Sequence, residues 1–134
     1  MSKSLLSVAT DLRKLLLQDA DLKQMVGESI FPLFAPADTT GDFVTIRREG
    51  YKLYRTKFGT YDEVATIAIV AFSPDYDRCC QIVERLRSVL MLIKVDDLYP
   101  LITNSTEDVT DFTVGGQAWY AEYLQVTVGN LNLG

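Results

Sequence analysis

The stretch EVATIAIVAFSPDYDRCCQIVERLRSVLMLI, residues 63–93, contains two hydrophobic periods in succession. Glu63 to Phe72 carries Val64, Thr66, Ile67, Ile69 and Val70, side chains that favour a pleated surface buried on at least one face. Ser73-Pro74-Asp75 then changes the period. Ser73 suits an N-cap and Pro74 a first helical position, where its missing N–H costs no hydrogen bond. Tyr76, Cys79, Val83, Leu86, Leu90 and Ile93 follow at alternating spacings of three and four, one stripe that must lie against a sheet or another helix. A strand leading straight into an amphipathic helix sets α and β layers against each other.

Toward the N-terminus, Leu5, Val8, Ala9, Leu12, Leu15 and Leu16 mark an amphipathic helix from about Ser4, a capping residue, to Gln18. Asp19 offers a second N-cap. Leu22, Met25 and Val26 continue the apolar spacing, and Gly27 fits the end of a short second helix. Ile30 to Phe34 is a short extended piece, residues 35–42 a loop, and Phe43 to Arg48 a strand. Toward the C-terminus, Leu98 to Ile102 and Val109 to Val114 are strand pieces, and Gly115-Gly116 is a hairpin turn. Tyr120, Leu124, Val126 and Val128 alternate with Trp119, Tyr123 and Thr127 in the last strand, and residues 129–134 carry no helix or strand signature. The expected fold is α+β in a single domain spanning 1–134: an antiparallel sheet of four to five strands, with an N-terminal and a central helix packed on one face. Residues 47–61 form a projecting β-hairpin arm, and 129–134 a flexible tail.

At 134 residues, 48% hydrophobic and 23% charged, the chain has the composition of a globular domain, which excludes disorder throughout. It contains no His, so the commonest general base and metal ligand are missing. Cys79 and Cys80 are adjacent, and on a helix they project about 100° apart, which makes a disulfide between them badly strained. Reduced thiols fit synthesis inside a cell, and Asp11, Arg13 and Lys14 interrupt any signal-peptide core. The longest apolar or small run, Val64 to Phe72, is nine residues long, against the roughly 20 of a transmembrane helix, so a soluble protein is expected.

Charge is polarised along the chain. All 13 basic residues lie at or before Lys94, so residues 95–134 sum to −6 within a net charge of −5. Arg47, Arg48, Lys52, Arg55 and Lys57 against Glu49 give +4 in eleven residues, interleaved with Tyr51, Tyr54 and Phe58. Basic and aromatic residues together suit either a single-stranded nucleic-acid platform or a protein interface. Protein contact is favoured because the same chain carries an acidic complement, Asp96, Asp97, Glu107, Asp108 and Asp111, that an adjacent subunit could present. Opposite patches on one protomer suit head-to-tail association, which closes to a ring when the rotation per subunit divides a full turn. Those carboxylates follow no calcium-loop spacing, and Gly115-Gly116 precedes a strand where a phosphate-binding turn would precede a helix. No nucleophile has a matched base and orienting group, so neither catalytic residue nor cofactor nor metal site is assigned.

The helix ending in Leu22-Lys-Gln-Met-Val-Gly27, the Ile30-Phe-Pro32 piece with its Pro-containing loop, the strand Phe43-Val-Thr-Ile46 and the segment Tyr76-Asp-Arg-Cys-Cys-Gln-Ile-Val83 resemble, in order, the small tail-terminator or tail-completion proteins of long-tailed bacteriophages. The resemblance covers nearly the whole chain. It implies a non-enzymatic virion protein that caps the tail tube as a ring, typically a hexamer, and joins the tail to the head connector. Its partners would be its own copies, a tail-tube protein and a connector or neck protein. DNA would pass through a lumen that acidic side chains keep from binding it, and no membrane would be involved. The basic arm and the C-terminal tail depart from that pattern. Another neck or minor tail protein is the nearest alternative. A small ligand-binding or nucleic-acid-binding α+β module and a metal-dependent nuclease belong to other classes.

Overall fold

A computed structural model describes residues 5–91, 101–106 and 109–133 of the chain. A 3-10 turn, Leu5–Ser7, leads into α1, Val8–Leu17, and α2, Ala20–Val26. Then come β1, Ile30–Pro32; β2, Phe43–Arg55; β3, Tyr61–Ser73; α3, Tyr76–Met91; β4, Leu101–Thr106; β5, Thr110–Val114; and β6, Gln117–Leu133. The sheet runs β1-β2-β3-β6-β4, with β5 also on β6. Because β4 pairs with Leu124 to Val128 and β5 with Gln117 to Ala121, the two share one side of β6 end to end, giving five positions across the sheet.

The α+β architecture expected from the sequence is present, with one difference in the sheet. β1 runs parallel to β2, so the sheet is mixed where antiparallel pairing throughout was expected. The residues from Ile30 to Pro32 are too few to announce a partner, and the parallel register is set through space. Pro32 has no N–H to extend the ladder, and Leu33, at φ 70, turns the chain away while its amide still reaches the Ile46 carbonyl.

Alternation explains which face is buried. Val44, Ile46, Ala65, Ile67, Ile69, Ala71, Leu124, Val126 and Val128 lie on one face and join a core with Leu12 and Leu16 of α1, Leu22 of α2 and Ile82, Leu86 and Leu90 of α3. Burying each large aliphatic side chain contributes about 1.5–3 kcal/mol, so this layer carries the fold. On α3, Ile82 takes a core position that the sequence stripe left out, whereas Tyr76, placed on that stripe, is 52% exposed. Tyr76 begins the helix, at the margin of the core, where it meets the edge of Tyr120 and the Cys80 thiol.

Helix ends follow local chemistry. Asp19 caps α2 as expected, accepting from Leu22 N at 3.0 Å, and Gly27 closes it at φ 61. The α3 cap lies two residues later than the sequence indicated: Asp75 Oδ1 accepts from Asp77 N and Arg78 N. Ser73 ends β3 instead, accepting from Asp75 N and donating to Asp42. Gly115 and Gly116, at φ 57 and 80, form the expected two-residue hairpin turn, a conformation that side chains disfavour. The tail expected to be free is strand instead: β6 continues to Leu133, with Val64 opposite Gly129 and Tyr61 opposite Leu133. Backbone pairing to β3 supplies the order that side-chain alternation does not reveal. The expected positions of Ser4, Ile93 and Leu98 lie outside the described residues.

Candidate functional site

The basic segment folds as the distal half of the β2–β3 hairpin, and β6 backs β3 along its length, so the arm is three strands wide as far as the Arg55–Tyr61 pair. Arg48 faces Ile67 and Gly50 faces Thr66, which leaves Glu49 as an extra residue, a β-bulge. Glu49 accepts from the Tyr123 hydroxyl and, at 3.0 Å, from Gln125 Nε2. Partial burial pushes its carboxyl pKa up, but the bonds from Tyr123 and Gln125 and the charge of Arg47 outweigh that and hold it below the ordinary value.

Beyond the bulge, the residue opposite Ala65 is Tyr51 and the residue opposite Val64 is Lys52. Tyr51, Leu53 and Arg55 therefore share the helix-bearing face, and Lys52 and Tyr54 the other. Glu63, 2% exposed, accepts from Leu5 N at 3.2 Å and from the Tyr51 hydroxyl at 2.5 Å, tying the arm's base to the N-terminal turn. Arg48 Nη1 donates to the Leu6 carbonyl at 3.0 Å. Tyr51 and Arg48, expected at an interface, are thus also committed to holding the fold, a role that burial of Glu63 explains and the sequence reading missed. Arg47, Lys52, Arg55 and Lys57 form no ion pair among the described residues. Cations sit over rings along the arm: Arg48 over Tyr51, Lys52 over Tyr54 at 5.5 Å, and Lys57 over Phe58 at 5.2 Å. Phe58, at the turn, is 81% exposed. An open groove of about 440 Å³ between Gly50, Lys52, Tyr54, Val64 and Thr66 has too few convergent polar groups to define a small-molecule site.

Of the acidic set, Asp111 is exposed on β5, and Asp96, Asp97, Glu107 and Asp108 lie outside the described residues. The sequence reading also missed an aromatic cluster on the sheet face that bears no described helix. Phe43 stacks on Phe72 at 4.6 Å and approaches Trp119 at 5.8 Å; Phe31 and Phe112 complete the set. The signal was there in alternation, since Phe31, Phe43 and Phe72 each adjoin a core position on their strand, Ile30, Val44 and Ala71, and so point to the opposite face.

Two polar anchors hold the helix layer. Arg85 grips Asp19 with two bonds, 2.7 and 2.9 Å, and this hydrogen bonding outweighs desolvation to hold the Asp19 carboxyl below its ordinary value. Asp42 accepts from Ser73 Oγ and from Arg78 Nε at 3.2 Å, fixing the 35–42 loop to the start of α3. Both cysteines are free. Burial pushes the Cys79 thiol up to about 12, and it donates to the Ala71 carbonyl, so its environment is that of an inert packing residue. Among the described residues, no group of three or more His, Cys, Asp or Glu could hold a metal ion, and no helix is long and apolar enough to cross a membrane.

Comparison with known proteins adds a likeness of fold. No protein-family model and no curated protein sequence matches the chain. Among solved structures, a chain of the virion of a native gene transfer agent particle superposes with a TM-score of 0.63 at 15% identity, covering 93% of this chain and 95% of that one. The two share a fold over nearly their full lengths.

Proposed function

We propose that this protein is a structural component of a phage-type virion that closes the end of the tail tube as a ring, six copies by its resemblance to tail-terminator proteins, and joins the tail to the head connector. The observation that carries the reading is the fold shared end to end with a virion chain. Chain-length agreement matters because an embedded module would match only part of its neighbour. Arg47, Lys52, Arg55 and Lys57, which form no ion pair among the described residues, and the −6 of residues 95–134 supply opposite charge for copy-to-copy contact. Carboxylates of the C-terminal part would line the lumen and let DNA slide without sticking.

Native mass spectrometry and light scattering at low and high salt test this. A ring should form, should weaken as salt rises, and should weaken further with Arg55→Glu, which has no ion pair to lose among the described residues, or with Lys57→Glu, which gives up only its place over the exposed Phe58 ring. Arg48→Glu is the poorer probe, since it also breaks the bond to Leu6. A strict monomer at every salt and protein concentration would refute the ring, and tight, salt-dependent DNA binding by the isolated protein would favour a nucleic-acid module.

A further inference from the structure

We infer that copies of this chain join edge to edge, the open outer edge of β2 from Arg47 to Arg55 pairing antiparallel with the β4 edge of a second copy, so that the sheet continues across the interface. The inference rests on the ring reading above and adds the backbone contact that builds the ring.

Both edges are open among the described residues. β1 covers β2 only from Val44 to Ile46, and β4 pairs with β6 alone. The direction of the groups on β2 follows from the hydrogen bonds around them. Ile46 O accepts from Leu33 N, so at Ile46 the polar groups point to the outer side; Thr56 N donates to Thr60 O, so at Thr56 they point inward to the hairpin partner. Alternating back from Thr56 places the N–H and C=O of Arg55 and Leu53 on the outer edge, where no described group meets them. Backbone groups of a strand edge left without a described partner, as at Leu53 and Arg55, are a template for another strand.

Charge selects which strand. Arg47, Arg48, Lys52, Arg55 and Lys57 would repel a second β2 edge, which disfavours the symmetric pairing. The β4 segment Leu101 to Thr106 carries no charge, and in sequence it is followed by Glu107, Asp108 and Asp111, with no basic residue from Val95 onward. Head-to-tail contact is therefore the favoured one. Height along the sheet sets the stagger: Tyr51 is level with Ala65, Val128 and Leu101, and Ile46 with Ile69, Leu124 and Thr106, so β4 of a level copy would face only Ile46 to Tyr51. A stagger of about four residues along the strands, which closure of a ring admits when its strands are tilted to the axis, brings Leu101–Thr106 against the open groups of Leu53 and Arg55. In the assembled sheet, β2 runs antiparallel to the neighbouring β4, because β2 and β6 point one way and β3 and β4 the other.

Leu53→Pro tests the backbone directly. Its N–H points away from β3, so the substitution leaves the hairpin ladder intact while removing a donor from the outer edge and placing a ring there. Assembly should fall at least about tenfold with the melting temperature of the dilute protein kept near that of the parent, and Leu53→Ala should assemble normally. Hydrogen exchange on the unmodified protein gives an independent reading: the Leu53 and Arg55 amides and those of residues 101–106 should gain protection as concentration drives assembly. Rings that form equally well with Leu53→Pro, or that leave the Leu53 and Arg55 amides unprotected, would overturn edge pairing and leave the ring itself standing. A parent protein that never assembles would overturn both.

Discussion

Glu63→Ala should lower stability by about 3 kcal/mol, because the carboxylate is the buried link between the arm and the N-terminal turn. The Leu5 N–H sits in a residue with no exposure, and without Glu63 Oε1 it stays unpaired at a cost of about 1–3 kcal/mol. The Tyr51 hydroxyl loses a charged acceptor, a bond of about 1.5–3 kcal/mol, but Tyr51 is 37% exposed and water recovers part of it. Removing a charge from a buried position returns some desolvation energy, which holds the sum to about 3 kcal/mol rather than more. For a domain of this size that is a fall of about 10 °C in melting temperature. Urea unfolding followed through Trp119, the only tryptophan, measures it, and Glu63→Gln, which keeps one acceptor, should lose less than half as much. Combining Glu63→Ala with Tyr51→Phe should show coupling of about 1–2 kcal/mol. A loss below about 1 kcal/mol for Glu63→Ala, or additivity with Tyr51→Phe, would refute the reading of Glu63 as the anchor of the arm.

Other outcomes follow from the same geometry. Asp19→Asn keeps an α2 cap but loses the charge facing Arg85, so it should cost at most about 1 kcal/mol near neutral pH. The Asp19 carboxyl is held below its ordinary 3.8 when folded, so its contribution is complete above that value and disappears as pH falls through the folded one; parent and Asp19→Asn denaturation curves should converge in acid. Cys79, buried and raised to about 12, should resist iodoacetamide at pH 8 in the native state, with partly exposed Cys80 reacting first by mass spectrometry. Leu86→Ala in the α3 core should cost about 2–5 kcal/mol by chemical denaturation, with no change in which edges pair.

The parts of this fold that could be read from sequence are those specified by residues close together in the chain. Asp19 and Gly27 mark α2, the glycine pair marks the β5–β6 turn, and the 76–90 spacing marks α3, because capping, left-handed turns and amphipathic packing each act within a few residues. Parallel pairing of β1 is different: three residues carry no signal for a partner 14 positions away, Val44 opposite Ile30. The strand character of 129–133 is equally invisible, since Asn130 and Gly129 have low strand propensity and are held by the ladder to β3. At the arm, residue types revealed charge and aromaticity but not commitment. Nothing near Arg48 or Tyr51 in sequence shows that their tips are engaged by Leu6 and Glu63, which come from elsewhere in the chain.

The Glu49 bulge decides which side chains share a face of the arm. Had β2 continued without the extra residue, alternation would have set Arg47, Glu49, Tyr51, Leu53 and Arg55 on one face and Arg48, Lys52 and Tyr54 on the other. With the bulge, Arg47 and Lys52 lie on the bare face and Arg48 and Arg55 on the helix-bearing face; two cations flank the strand on each side either way, but the bulge regroups them and turns Tyr51 to the face of Glu63. A flat protein surface docking on either face would meet only half of that charge. A strand laid along the outer edge meets all of it, with main-chain groups of Leu53 and Arg55 between the two rows. The bonds from Tyr123 and Gln125 to Glu49 hold the bulge in place, so Glu49→Ala should return the arm toward regular register, redistribute its charges and weaken assembly while Arg47, Lys52, Arg55 and Lys57 are all still present. Assembly unchanged by Glu49→Ala, with exchange protection showing the bulge gone, would mean that the contact depends on net charge alone.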